Sequence, residues 1–126
     1  MGRVVLDSSV LIALMDRNNE RHTMVLSHLT SEQSTYVIST ISLAEVLVLP
    51  HRQGKATDAE KSLRNFVHEM IDVSPEVAAQ AAAIRASKGL KLPDAIISAT
   101  AELARATLLT FDQKLAQAHK ESVLLV

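Results

Sequence analysis

The chain has no cysteine and no tryptophan, and Tyr36, Phe66 and Phe111 are its only aromatic residues. Without cysteine there is neither a disulfide nor a thiolate metal site, which leaves the redox compartment open and fits a cytoplasmic chain. With aromatics at 2% the core has to be aliphatic, and stacking platforms for nucleic-acid bases are scarce. Nowhere do about 18 apolar residues run without a charge, and the start carries no signal-peptide pattern, so a soluble protein without a membrane anchor is expected. Repeats, linkers and low-complexity stretches are missing as well. The net charge is only -1, so no strongly basic surface announces a nucleic acid.

What is present fits one domain spanning residues 1–126, long enough to bury about two thirds of the surface its unfolded chain exposes. Arg3-Val4-Val5-Leu6-Asp7-Ser8-Ser9 reads as a buried central strand that delivers a carboxylate and two hydroxyls to its end. Ser8 or Ser9 then caps a helix over residues 10–15, and a second helix covers 20–29. Tyr36 to Ser39 is β-branched and aromatic, as a strand requires. Ser42 and Glu45 have capping-box spacing and open a helix that ends near Pro50 to Gly54; Thr57 and Glu60 repeat the device.

A short strand is expected over 70–73. Ser74-Pro75-Glu76 follows as cap, first-turn proline and dipole-matched acid of a helix that Gly89 closes. Asp94 opens a helix that is apolar nearly all round and therefore buried. Strands at 107–110 and 123–126 flank a short helix that begins at Asp112. This alternation predicts an α/β fold: a central parallel sheet with helices on both faces.

In such a sheet, ligands bind beyond the carboxyl ends of the strands. Asp7, Glu45, Asp94 and Asp112 are all expected at that edge. Taken singly, the three aspartates read as helix caps and Glu45 as the capping-box partner of Ser42; the shared edge is what argues for more. Carboxylates gathered without Lys or Arg between them resist ionising together, and a divalent cation removes that cost. Oxygen ligands with no His or Cys alongside suit Mg²⁺ or Mn²⁺ rather than zinc. Such an ion activates a water and stabilises the leaving oxygen of a phosphodiester.

Ser9 and Thr110 are the hydroxyls placed to orient a carboxylate or a ligand water, and Lys88 and Lys91 are placed to touch phosphates. Setting those four carboxylates aside leaves ten acids facing 13 Lys and Arg, which permits a polyanionic substrate. Asp16, Asp72 and Glu102 are assigned to surface or capping roles. The five histidines show no metal-ligand spacing.

At these residues the chain resembles the PIN-domain family, and within it the small VapC-type toxins. The resemblance is carried by Val4-Val5-Leu6-Asp7-Ser8-Ser9, by Ser39 to Val46, by Leu92-Pro93-Asp94-Ala95-Ile96-Ile97, and by Leu108-Leu109-Thr110-Phe111-Asp112, in this order and spacing. It implies a PIN-like nuclease domain with a Mg²⁺ or Mn²⁺ site and endoribonuclease activity on single-stranded or structured RNA. It also implies a cognate VapB-like antitoxin and a homodimer. Asp7, Glu45, Asp94 and Asp112 fall on the family's acidic positions. Ser9 stands where many relatives carry Asn, which touches only the bonding around the carboxylates.

Two rivals belong to other classes. A PIN-like module that only binds would keep the fold without the chemistry, and a metal-dependent cleavage assay separates it. A phosphorelay receiver domain needs an acidic pair after its first strand and an Asp after its third. Here Asp7 stands alone and Ser74 follows the third strand.

Overall fold

The first apolar run forms strand β1 (Arg3–Leu6) at the centre of a five-stranded sheet in the computed structural model, which describes residues 2–31 and 33–126. The chain continues through α1 (Ser8–Met15), α2 (His22–Ser31), β2 (Thr35–Ser39), α3 (Thr40–Arg52), α4 (Ala56–Phe66) and β3 (Glu69–Ile71). Then come α5 (Pro75–Lys88), α6 (Leu92–Leu103), β4 (Thr107–Thr110), α7 (Gln113–Ala118) and β5 (Ser122–Leu124). The strand order is β3-β2-β1-β4-β5, and every pairing is parallel. The expected α/β architecture is therefore the one found.

Alternation along the strands divides the core in two. Val5, Val37 and Leu108 pair in register across β1, β2 and β4 and face the cluster built by α5, α6 and α7. Their neighbours Leu6, Ile38 and Leu109 point the other way, into the cluster of α1 to α4. Both faces of the sheet are thus covered, as a parallel sheet requires. Within α6 every residue from Ala95 to Ala101 is buried, which accounts for its apolar character on all sides. In α5 the buried stripe is Val77, Ala81 and Ile84, whereas Ala78, Ala79, Ala82 and Ala83 are exposed.

Several helix starts differ from expectation, each for a local reason. Asp7, not Ser8 or Ser9, is the N-cap of α1: its carboxylate accepts from the Ser8 amide. Helix α3 begins at Thr40 because Ser39 caps it, accepting from the Ile41 amide at 3.2 Å. Ser42 therefore lies inside the helix, where its buried hydroxyl has no partner among the described residues. Pro50 is tolerated in the last turn of α3, and the chain leaves through Gly54 at φ +69. Helix α4 starts at Ala56 after Lys55, with no side-chain cap. Ser74, Pro75 and Gly89 play the roles expected of them, Gly89 at φ +66 supplying the left-handed turn. No helix among the described residues is long and apolar enough to cross a membrane.

Candidate active site

The four acids are brought to the carboxyl edge of the sheet by different elements. Asp7 follows β1 directly, and Asp112 is the N-cap of α7, two residues beyond the end of β4. Glu45 is the sixth residue of α3, so it sits in the second turn and not the first. Helix α6 runs back toward the start of the strands, where Arg3 donates to the carbonyl of Ala104 at 2.9 Å. Its opposite end, with Asp94 in the first turn, therefore lies at the carboxyl edge.

Asp7 is 5% exposed, and both its oxygens are engaged. Oδ1 accepts from the Ser8 amide at 2.7 Å; Oδ2 accepts from Ser9 Oγ at 3.0 Å and from Thr110 Oγ1 at 2.6 Å. Thr110 is fully buried and its hydroxyl also accepts from the Asp112 amide at 2.9 Å, so one side chain ties the loops after β1 and β4 together. Asp112 completes its cap by accepting from the Leu115 amide at 3.1 Å. The hydroxyls named from sequence, Ser9 and Thr110, thus bind the carboxylate they were expected to orient.

Glu45 does not cap its own helix. Its Oε1 accepts from Ser8 Oγ at 2.5 Å, which links α3 to the start of α1. No local spacing in the sequence signals this bond, because 37 residues separate the two. Asp94 is the exception in the group: no hydrogen-bond donor reaches its carboxyl among the described residues. Burial, and after it the charges of Asp7, Asp112 and Glu45, hold that carboxyl above the usual aspartate range, while Lys91 offsets part of the effect. The three other acids are near enough for their charges to act on Asp94.

Other residues fall outside the site. Glu102 lies at the far end of α6 and accepts from Gln80 Nε2 at 2.9 Å. Lys88 is exposed, and one of its Nζ donors goes to the Ala118 carbonyl at 2.5 Å. The histidines serve the fold: His68 Nδ1 takes the Tyr36 amide, and a ring nitrogen of His119 meets the Ala106 carbonyl at 3.0 Å. Beside Glu45 a groove of about 760 Å³ opens between α1, α3 and α4, lined by Ile12, Met15, Leu49 and Phe66 among others.

The donor set fits a hard divalent cation, since every candidate ligand is an oxygen and Asp94 carries uncompensated repulsion. Among the described residues no three of these groups are arranged to hold an ion as they stand, and Glu45 turns to Ser8 instead.

A parallel sheet of this order with acids on its carboxyl edge defines a class, and the comparison agrees: the PIN domain model matches residues 4–121, and the chain belongs to that family. PIN domains are typically nucleases, and those nucleases generally use divalent metals. The chain is 30% identical to a chain of a toxin-antitoxin complex from Klebsiella pneumoniae, with a TM-score of 0.81 and 95% of each chain covered. It is 20% identical to VapC20 of Mycobacterium tuberculosis, a sarcin-ricin loop cleaving toxin, over 91% of this chain and 94% of that one, at a TM-score of 0.78. A chain of VapBC2 from Rickettsia felis, solved bound to a promoter DNA fragment, is 22% identical over 98% and 97%, at a TM-score of 0.71. Homologues have thus been crystallised with antitoxins. No curated protein matches the chain.

Proposed function

We propose that the protein is a Mg²⁺- or Mn²⁺-dependent endoribonuclease acting on single-stranded or structured RNA, and that it is the toxin of a VapBC-like toxin-antitoxin pair. The observation that carries the reading is Asp94: a half-buried carboxyl beside three like charges, given no donor among the described residues, is a group that a cation would stabilise. Asp7, Glu45, Asp94 and Asp112 are the residues that would hold the metal. When bound, the ion supplies a water activated near neutral pH and charge stabilisation for the leaving oxygen.

The chain's own residues do the rest. Ser9 and Thr110 fix the Asp7 carboxylate in one rotamer, so that little is left to reorganise when substrate arrives. Ser8 holds Glu45 next to it. Among the described residues no His or Lys pair is placed to deprotonate a ribose 2′-hydroxyl, which favours attack by water and fragments with 5′-phosphate and 3′-hydroxyl ends.

Incubation of end-labelled single-stranded RNA with the purified chain tests this. Cleavage should need Mg²⁺ or Mn²⁺, stop on chelation, and leave 5′-phosphate ends. Cleavage that survives exhaustive chelation, or a 2′,3′-cyclic phosphate product, contradicts the assignment. RNA binding with no cleavage in any metal favours the module that only binds.

For the antitoxin, a basic side chain entering the acidic edge is the electrostatic match, and Arg serves best because its planar donors keep their charge when buried. A partner peptide titrated into wild type and Glu45→Gln without metal separates this from purely apolar docking: equal affinities point to the groove beside Glu45. A homodimer is also expected. Of the run Val46 to Leu49, Val46 and Leu47 enter the core, while Val48 and Leu49 are 48% and 55% exposed. They are apolar surface that a second copy would cover. Sedimentation as a monomer at micromolar concentration counts against it.

A further inference from the structure

Phe111 lies between Thr110, which binds Asp7, and Asp112. Tyr36 and Phe66 stack on each other, with ring centroids 5.4 Å apart, whereas the partly exposed ring of Phe111 meets a guanidinium. Over its ring stands the guanidinium of Arg21, 4.3 Å from the centroid. Arg21 comes from the connection between α1 and α2, whose backbone is set locally: the Arg21 amide donates to Asn19 Oδ1 at 2.9 Å, and its carbonyl accepts from the Val25 amide at 3.0 Å.

Three of the other six arginines meet oxygen, and Arg17, Arg52 and Arg105 have neither an oxygen partner nor a ring contact among the described residues. Arg3 binds Glu69 and the Ala104 carbonyl, Arg64 binds Glu60, and Arg85 binds the Leu90 carbonyl. Arg21 is exposed and has no oxygen partner among the described residues, although the ring it covers is next in sequence to Asp112. A guanidinium on an aromatic face is fixed in place while its N–H donors stay available, and their fork matches phosphate oxygens. An edge made of four acids repels a polyanion, so a seated cation at its rim answers the difficulty of bringing RNA there.

We propose that Arg21, seated on Phe111, is a positioning residue that receives a backbone phosphate of single-stranded RNA beside the acidic edge. The inference rests on the nuclease reading. Contacts of this kind fix register and carry no sequence information, so the loss of Arg21 weakens binding to all sequences alike.

The test is fluorescence anisotropy with a labelled single-stranded RNA of mixed sequence. It is run in the full chain carrying Asp94→Asn to block hydrolysis, over salt from about 50 to 200 mM. Arg21→Ala should reduce the slope of log affinity against log salt by about 0.7, the share of one phosphate contact on a single strand. Arg21→Lys should keep the slope, and in the otherwise wild-type chain Arg21→Ala should raise KM and leave kcat nearly unchanged. A merely structural pair would lower the melting temperature and leave the slope alone, and that result overturns the inference. So does an equal loss of slope in Arg17→Ala, an exposed arginine of the same connection with no ring beneath it, because diffuse charge would then explain both. Failure of the parent chain to bind RNA at any salt sinks the nuclease reading and this inference together; binding with an unchanged slope in Arg21→Ala sinks only the latter.

Discussion

On the strand side of the acidic edge Asp7 is buried and takes three hydrogen bonds, while on the helix side Asp94 is half-buried and takes none. The side chains are chemically the same and belong to one cluster, yet the fold treats their charges differently. Donors at 2.6 to 3.0 Å meet the Asp7 charge, so that half of the edge is organised by the protein alone. The Asp94 charge is offset in part by Lys91 and opposed by burial and three neighbours. One half is a fixed wall, and in the other no donor among the described residues meets the charge.

The comparison breaks most severely if the wall is removed. Asp7→Ala deletes the N-cap of α1 and strands the buried Thr110 hydroxyl, so a loss of roughly 2–4 kcal/mol in denaturant unfolding is expected. RNA cleavage should fall to background. A loss below about 0.5 kcal/mol would show that the three bonds do little for the fold.

Thr110→Val is nearly isosteric and removes the link between the two loops. It should cost about 1–3 kcal/mol, because the Asp112 amide loses its acceptor along with the donor to Asp7. Equal stability in urea titration would mean that ordered water replaces the hydroxyl.

Ser8→Ala is the gentlest change. Glu45 is exposed and water can replace the lost donor, so about 0.5–1 kcal/mol is expected. Its use is to free Glu45 for a cation: metal affinity, read by calorimetry, should stay the same or rise. A clear fall would show that Ser8 orients Glu45 for the ion.

The sequence made the sheet, its parallel sense and the location of the acids legible, because strand alternation and the break at Asp7, Asp94 and Asp112 are local signals. By spacing Glu45 reads as the capping-box partner of Ser42, and it binds Ser8 instead. The Ser42 capping box competes with Ser39, which lies at the true end of β2 and takes the helix start, leaving Ser42 buried without a partner. Nothing local announces the bond from Lys88 to the Ala118 carbonyl 30 residues on. The bond of Ser8 to Glu45 and the Arg21–Phe111 contact join distant segments, and pairing across such distances leaves no trace in spacing.

The contrast between the halves is tested most directly by thermal unfolding of wild type and Asp94→Asn, with and without Mn²⁺. In the folded protein the Asp94 carboxyl keeps its proton above the ordinary aspartate range. Its ionisation therefore removes stability as pH rises from that range through the raised value. The account predicts that metal-free Asp94→Asn melts higher than wild type at neutral pH, and that the gap closes when acid protonates Asp94. Mn²⁺ should then raise wild type, with a shift that grows with metal concentration, and leave Asp94→Asn nearly unmoved. Contradiction would be a metal-free wild type that melts higher than the variant at neutral pH, or an equal rise with Mn²⁺ in both.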